Sequence, residues 1–287
     1  MNKLKNIKAY PALEKCDNII NKAIRKVLFW NTPLQIGTEK WVSRSISQDI
    51  KRDDIVICFA SFVSHKVLRY INRKYNCRCI NYFWDKVSVA KYPVIKDKAF
   101  ENWTFDLDDA NNWGMMYNPQ FFIDSIKFEK KSKEYDVFFC GADRQGIWPN
   151  RVKLVNKYYA ILKKHVKNEM MFYLVSNSKY ANKDIVNKKR MNEKKYFEIM
   201  GKSKTVLEIV EPNEEWLTLR VFQALSNGIK VITNNHKITR YDFYSPEYIF
   251  ILGVDDISKI NDFIEKQLDY EIDLTYYSMQ NWVERFL

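Results

Sequence analysis

The sequence contains few of the residues that interrupt regular structure. Its 287 residues include only 7 glycines and 7 prolines, and no internal repeat or low-complexity tract is evident. Glycine and proline mark turns and linkers, so their scarcity indicates a compact fold. Hydrophobic residues make up 46% of the chain, which excludes an intrinsically disordered protein. The length suits two domains of roughly 100–150 residues each, or one large domain.

Long hydrophobic runs are also missing. No segment approaches the roughly 18 consecutive apolar residues of a membrane-spanning helix. The basic residues within 1–7 are not followed by the apolar region of a secretory signal peptide. We therefore expect a cytoplasmic protein that meets a membrane only peripherally, at its inner face.

Histidine and cysteine are too few and too dispersed for an obvious metal site. The chain has 3 histidines and 5 cysteines. Cys77 and Cys79 on a strand would point to one face, but no second cysteine pair or nearby histidine completes a zinc site. Buried free thiols are the better prediction, and they fit a reducing cytoplasm. The cysteines are Cys16, Cys58, Cys77, Cys79 and Cys140.

Positive charge is what the sequence has in excess, with a formal net charge of +12. Such an excess favours anionic partners: nucleotide phosphates, an acidic membrane surface or nucleic acid. The charge is spread over the whole chain, so a solvated basic surface is an equally simple interpretation. No RNA- or DNA-binding module is recognisable, and a nucleic-acid-binding protein is therefore the weakest of the alternatives.

Apolar runs that alternate with helical periodicity predict parallel α/β structure. The run at 54–60, a helix at 64–75 and a second run at 78–84 form a βαβ unit with a right-handed crossover. An amphipathic helix over 11–25 and a short strand over 26–30 precede it, and a short strand over 102–105 follows. In the second half we expect strands at 135–140, 170–175, 205–210, 230–233 and 248–252, with helices at 149–167, 192–202, 218–227 and 256–268.

The pattern breaks between residues 120 and 134, where we place the domain junction. The sequence thus predicts domains over 1–125 and 126–270, both Rossmann-like and facing a central cleft. Residues 271–287 carry an aromatic stripe and are predicted to form a C-terminal helix that crosses back to the first domain. In such sheets, ligands bind beyond the carboxyl ends of the strands.

The segment from 211 to 235 combines acidic residues with a helix start. A strand ends in acids that include Glu215, Thr218 is a suitable N-cap, and Gly228 ends the helix. The helix N-terminus would then point into the crevice and suit a phosphate. Glu215 and Gln223 could meet the hydroxyls of a sugar and of a ribose. An ordinary strand–helix–strand unit with acids in a solvated loop is the alternative.

Glu215 and Gln223, eight positions apart, resemble the Glu-x7-Glu element of the GT-B glycosyltransferases. In that superfamily the first acid contacts the donor sugar and the second binds the ribose of the nucleotide. Gln223 departs from the pattern because an amide lacks the charge-assisted bond of a carboxylate. The wider pattern is similar to bacterial capsular and lipopolysaccharide glycosyltransferases at 217–220, 231–234, 241–244, 82–85, 104–106 and 108–109.

The resemblance implies transfer of a sugar from a nucleotide-diphosphate donor to a glycan or lipid-linked acceptor in bacterial surface polysaccharide synthesis. The first domain would hold the acceptor and the second the donor. The diphosphate would be bound by the loop that begins at Gly141, with Arg144 or Arg151, and by Thr218 and Arg220. A plain turn explains that loop equally well. A sugar-nucleotide epimerase of the same build is the alternative enzyme, and it would act without an acceptor.

The expected catalytic groups lie in the first half. His65 near a helix start and Asp85 at a strand end stand where an inverting GT-B enzyme would carry its acceptor-activating base. A capping or packing role is the simpler alternative for His65. Asp106 and Asp108 form an Asp-x-Asp motif, which holds Mn²⁺ or Mg²⁺ in GT-A enzymes. The GT-B resemblance instead favours a loop at the domain junction, with no metal and no other cofactor.

Overall fold

The computed structural model describes residues 7–16, 18–30, 37–123, 126–128, 132–143, 146–212 and 216–287. The chain divides into two compact units, Met1–Gln120 with Glu284–Leu287, and Phe121–Val283. Each unit is built of helices around a parallel sheet. The predicted mixed α/β architecture with parallel strands is therefore confirmed.

The first unit contains, in its described part, a four-stranded sheet of order β1-β2-β3-β4. Its strands are β1 (Ile55–Phe59), β2 (Arg78–Phe83), β3 (Glu101–Thr104) and β4 (Met116–Tyr117). Its helices are α1 (Ile19–Arg25), α2 (Thr38–Trp41), α3 (Arg44–Asp49), α4 (Ser64–Tyr75), α5 (Val87–Ala90) and α6 (Leu107–Trp113). A π-helix, Lys26–Trp30, continues α1.

The core of the first unit forms where α4 covers the sheet. Val67, Leu68 and Ile71 of α4 are buried, as the helical spacing of these residues requires, and they pack with Cys79 of β2. The helix ends at Asn76, whose backbone is left-handed and donates to Asn72 O. The predicted βαβ unit is thus present, and the crossover helix has the predicted bounds.

Two predictions for the first 30 residues are wrong. The helix predicted over 11–25 is limited to Ile19–Arg25, because the side chain of Asn18 accepts from Ile20 N and starts the helix there. Residues 26–30 form a π-helix instead of a strand. A strand needs the backbone of a neighbouring strand to pair with, whereas a continued helix satisfies these groups within the segment.

The second unit contains, over its described residues, a six-stranded sheet of order β10-β9-β8-β5-β6-β7. Its strands are β5 (Tyr135–Ala142), β6 (Met170–Val175), β7 (Val186–Asn187), β8 (Ser203–Glu208), β9 (Lys230–Thr233) and β10 (Ile249–Ile251). Its helices are α7 (Arg151–His165), α8 (Glu193–Gly201), α9 (Leu219–Leu225), α10 (Ile260–Glu265) and α11 (Met279–Glu284). Short 3-10 helices cover His236–Arg240, Ile257–Lys259 and Thr275–Tyr277.

This strand order is that of the Rossmann fold, in which the chain first builds one half of the sheet and then the other. The order reverses between β5 and β8, which are parallel neighbours. Separate apolar clusters cover the two faces: one is built around Phe138 and Phe222, the other around Phe139 and Leu162. In sheets with this strand order, ligands bind at such a switch point, beyond the carboxyl ends of the strands.

The C-terminal helices are shorter than predicted. The helix expected over 256–268 is a 3-10 turn followed by α10. The helix expected over 271–287 is interrupted at Ser278, whose backbone is extended. Phe122 pairs with this break, since its N–H donates to Tyr277 O and its carbonyl accepts from Met279 N. The bridge to Phe122 competes with helical hydrogen bonds, and α11 begins only after it.

Candidate functional site

The switch point of the second sheet is occupied by a buried arginine. Arg151 opens α7 and is only 7% exposed. Its guanidinium donates to Ile209 O, just beyond the end of β8, and lies over the rings of Phe139 and Trp148 at 5.5 and 5.4 Å from their centroids. One side chain thus connects the carboxyl ends of β5 and β8, the two strands that meet at the switch point.

Gly141 is what allows Arg151 to lie there. A Cβ atom on Gly141 would stand 2.9 Å from Arg151 Nη2 and 2.9 Å from Phe139 Cζ, closer than such contacts occur. Gly141 belongs to β5 and not to the loop in which the sequence placed it. Its small size therefore makes room for a guanidinium group, which corrects the expectation of a glycine loop that begins at this residue.

A second arginine approaches the same edge from α9. Arg220 donates to Cys140 O of β5 and lies 5.7 Å from the centroid of the Phe139 ring. Its Nε is buried and has no hydrogen-bond partner among the described residues. A buried N–H without a partner is costly, and a ligand that accepts from it would remove that cost.

Arg151 and Arg220 therefore share one aromatic ring at the carboxyl edge of β5. The faces of aromatic rings attract guanidinium groups, which helps to hold two like charges at one place. Arginine N–H groups match the oxygens of phosphates and carboxylates. The arrangement is suited to an anion with several oxygens, such as a diphosphate.

The start of α9 is fixed by a buried acid of β8. Glu208 is fully buried, and its Oε1 accepts from Thr218 N at 2.9 Å and from Thr218 Oγ1 at 2.8 Å. Its Oε2 accepts from Thr233 Oγ1 of β9 at 3.1 Å. Burial raises the pKa of Glu208, while the hydrogen bonds and the nearby Arg220 lower it. Thr218 is thus tied to the sheet, and Arg220 follows it by two residues.

Further side chains hold the loop after β8 against this edge. Glu211 is buried and accepts from Asn150 Nδ2 at 3.0 Å. Asn234 donates to Val210 O at 2.9 Å and accepts from Val210 N at 2.8 Å. Asn235 donates to Trp216 O at 3.2 Å. The loop is therefore anchored on both sides of residues 213–215.

Two predicted donor-binding residues, Arg144 and Glu215, lie outside the described residues. Gln223 is described and lies on the same face of α9 as Arg220, three positions later. Its Oε1 is 3.5 Å from the hydroxyl of Tyr196 on α8, which is a long contact. Burial raises the pKa of Tyr196, so this hydroxyl stays protonated at neutral pH.

In the first unit, His65 lies in the first turn of α4 and is 8% exposed. Burial, and then the charges of Arg69 and Lys66, lower its pKa to about 4, against a smaller opposite effect of Asp97. The imidazole is therefore neutral at pH 7, and its buried Nδ1 has no hydrogen-bond partner within the described part of the chain. Its role as a base stays a prediction.

Asp85 follows the end of β2 and is exposed. Exposed aromatic side chains lie at the neighbouring end of β1, where Phe59 and Phe62 are each 50% exposed. Phe59 packs edge-on against Trp84, with ring centroids 5.5 Å apart. Aromatic faces are common platforms for the apolar faces of sugars, and the sequence analysis did not single these residues out.

The Asp-x-Asp motif is engaged within the protein. Asp106 caps α6 by accepting from Asp109 N at 3.0 Å, and its other oxygen is 2.9 Å from Lys86 Nζ. Lys86 also lies 3.5 Å from Asp108. The motif therefore starts a helix that the sequence analysis missed, and it does not form the loop expected there.

Across the described residues, no group of three histidine, cysteine, aspartate or glutamate side chains is placed to hold a metal ion. The five cysteines are free, and burial raises the pKa of Cys58 to about 11 and that of Cys79 to about 12. Among the helices of the described segments, none has both the length and the hydropathy of a membrane span.

No protein-family model matches the chain, and no curated protein does. Its fold is similar to the crystal structure of TarM, with a TM-score of 0.51 and 12% identity over 85% of this chain and 56% of TarM. It is also similar to the Glycosylation Associate Protein (Gap123) complex from Streptococcus agalactiae, with a TM-score of 0.45, 10% identity, and coverage of 84% and 51%. The chain spans about half the length of these solved structures.

Proposed function

We propose that the chain is a glycosyltransferase of the GT-B type that takes its sugar from a nucleotide-diphosphate donor. One observation carries the proposal: beside Arg151 at the switch point of a Rossmann sheet, Arg220 has a buried Nε without a hydrogen-bond partner among the described residues. The sequence resemblance around Thr218, Arg220 and Gln223 and the fold likeness to TarM support it.

The second unit would bind the donor. The guanidinium groups of Arg151 and Arg220 would donate hydrogen bonds to the diphosphate between the carboxyl ends of β5 and β8. When the glycosidic bond breaks, negative charge grows on the departing diphosphate, and two preorganised guanidinium groups stabilise that charge without rearrangement. No metal is required for this step. Glu215 and Gln223 would contact the donor sugar and the ribose.

The first unit would bind the acceptor, a glycan or a lipid-linked oligosaccharide in surface polysaccharide synthesis at the inner face of the membrane. The exposed rings of Phe59 and Phe62 offer a stacking surface for sugar rings. Asp85, at the end of β2, is exposed and free to meet an acceptor hydroxyl, whereas His65 is buried. Of the two predicted bases, Asp85 is therefore the one we favour.

Nucleotide binding by an Arg220→Ala variant tests the donor site. Titration calorimetry with a panel of nucleoside diphosphates identifies the one that the wild type binds. We expect the variant to bind it at least about tenfold more weakly, because a charge-assisted hydrogen bond is worth about 1.5–3 kcal/mol. Arg190→Ala removes an exposed arginine of the same unit and should leave the affinity unchanged.

Turnover separates the enzyme classes. With the matching nucleotide-sugar, a transferase releases nucleoside diphosphate when an acceptor is supplied, whereas an epimerase changes the sugar without one. Wild-type protein that binds no nucleoside diphosphate, or an Arg220→Ala variant with undiminished affinity, would exclude the proposed donor site.

A further inference from the structure

The helical segment 19–30 exposes most of its hydrophobic side chains. Ile19, Ile20 and Val27 are 82%, 65% and 60% exposed, although residues of this kind are usually buried in cores. We refer to the exposed apolar residues of this segment as the apolar strip. It consists of Ile19, Ile20, Ile24, Val27, Leu28 and Trp30.

The segment is attached to its own unit by the residues between these. Phe29 is fully buried in the core of the first unit, and its carbonyl accepts from Lys66 Nζ. Arg25 is half-buried and donates from Nη1 to Glu14 O at 2.8 Å. The usual pattern of a surface helix is therefore inverted: a phenylalanine and an arginine fasten the segment, and the aliphatic side chains point away.

The spacing places the apolar strip on one side. At 100° per residue, Ile19, Ile20 and Ile24 of α1 fall within half of the helix circumference, and Lys22 falls in the other half. Val27, Leu28 and Trp30 lie in the π-helix that continues α1 and are also exposed. An apolar patch that is continuous and rimmed by polar residues marks an interaction surface.

The charge of the segment identifies the partner. Residues 18–30 contain Lys22, Arg25 and Lys26 and no acidic residue. A second copy of the chain would bring like charges together across a symmetric interface, and the whole chain already carries a net charge of +12. A bilayer with anionic headgroups offers an apolar interior and a negative surface at once, and tryptophans such as Trp30 favour that interface.

We propose that the apolar strip lies in the interface of an anionic lipid bilayer, with Lys22 and Lys26 at the headgroups. The segment then acts as an in-plane anchor, parallel to the membrane surface. This anchor does not depend on the donor chemistry proposed above. A protein that binds nucleotide but not lipid, or lipid but not nucleotide, would overturn one proposal and leave the other standing.

Vesicle flotation with the full chain tests the anchor. We expect wild-type protein to float with equimolar phosphatidylglycerol and phosphatidylcholine, and not with phosphatidylcholine alone. Ile20→Ser with Val27→Ser should lower the partition coefficient at least about tenfold, because two exposed aliphatic side chains no longer enter the bilayer. Lys22→Glu with Lys26→Glu should also abolish flotation, and added salt should weaken the wild type.

Matched controls use residues of the second unit. Val254 and Tyr180 are 60% and 74% exposed, so the Val254→Ser, Tyr180→Ser pair removes similar exposed apolar groups. Lys188→Glu with Lys189→Glu makes the same change in net charge as the Lys22→Glu, Lys26→Glu pair. Both control pairs should float like the wild type. Thermal unfolding verifies that each variant folds. If the Ile20→Ser, Val27→Ser variant does not fold, the Lys22→Glu, Lys26→Glu variant tests membrane binding.

Three results would overturn the proposal. They are wild-type protein that does not float with anionic vesicles, strip variants that float unchanged, and a wild-type dimer in sedimentation that the serine pair dissociates. The last would make a second copy of the chain the occupant of the strip.

Discussion

At the scale of single residues, His65 is a titratable side chain that is buried in the first unit. Its side chain is 8% exposed and lies near two positive charges, those of Arg69 and Lys66. Burial and the two positive charges both disfavour the imidazolium ion, so the pKa of His65 falls from 6.5 to about 4. The folded state therefore binds fewer protons than the unfolded state between these two values, and stability is lost as pH falls through that window.

A His65→Gln variant should lose less stability on acidification than the wild type. Between about pH 7.5 and pH 5 the difference amounts to roughly 1–2 kcal/mol, because glutamine binds no proton in either state. Urea unfolding at the two pH values measures it. His165→Gln, which removes an exposed histidine, is the control. Parallel pH profiles for His65→Gln and the wild type would show that burial does not depress this pKa.

Gly141 shows a different residue-scale constraint, which is steric. A Gly141→Ala variant should destabilise the protein by about 1–3 kcal/mol, because the new Cβ overlaps Arg151 and the Phe139 ring. Nucleotide affinity should fall with it, since Arg151 must move. Gly228→Ala is a useful comparison, because a Cβ atom there meets nothing within 4 Å. Its cost of about 1 kcal/mol comes from placing an alanine in a left-handed backbone conformation.

The readouts for Gly141→Ala are the urea midpoint and calorimetric nucleotide binding. If both match those of the wild type, then Arg151 is not held in place by the space above Gly141. If Gly228→Ala lowers nucleotide affinity as much as Gly141→Ala does, the effect on affinity is a general consequence of lost stability.

At the scale of secondary-structure elements, the fixed start of α9 matters most. Glu208 of β8 accepts from Thr218 at the start of α9 and from Thr233 of β9, so one buried carboxyl joins three elements. The helix has only seven residues and would not be stable alone. Its direction, and with it the position of Arg220, depends on this side chain.

Glu208→Ala should destabilise the protein by about 2–4 kcal/mol, because it leaves the half-buried donors of Thr218 and the buried hydroxyl of Thr233 unsatisfied. Glu208→Gln should cost about half of that or less, since the amide oxygen still accepts from Thr218 and the fold already disfavours the carboxylate. Chemical unfolding measures both, with Glu169→Ala as an exposed control. Equal losses for alanine and glutamine would show that the charge of Glu208 matters more than its hydrogen bonds.

At the scale of the whole molecule, the second unit has the features of an independent domain. Its six-stranded sheet is covered by apolar clusters on both faces, and Phe122 pairs with Tyr277 and Met279 at its two ends. Both arginines of the candidate site belong to it. A fragment of residues 121–283 should therefore unfold cooperatively and bind nucleoside diphosphate within about tenfold of the full chain.

Calorimetry and circular dichroism on the fragment check this expectation. The same fragment with Arg220→Ala is its control and should lose affinity as the full chain does. A fragment that folds but binds no nucleotide would place essential donor contacts in the first unit, and a fragment that does not unfold cooperatively would show that the two units stabilise each other.

The sequence by itself determined the α/β class and the elements whose signal is local. The bounds of α4 and β9 are those predicted, because an amphipathic period and a short apolar run depend only on neighbours in the chain. The helix that carries Arg220 was predicted for the same reason, with Thr218 before it and Gly228 after it. These residues act through backbone conformation, which the local sequence largely sets.

Only the tertiary structure decided the features that depend on distant neighbours. Nothing local to Glu208 shows that Thr218 and Thr233 will be its partners, and nothing local to Gly141 shows that Arg151 needs its space. At Lys26–Trp30, where the sequence predicted a strand, the backbone groups pair within a π-helix and not with a neighbouring strand. The sequence predicted an amphipathic helix over 11–25, which includes Ile19, Ile20 and Ile24, but whether its apolar face packs in a core or stays exposed depends on where the rest of the chain packs.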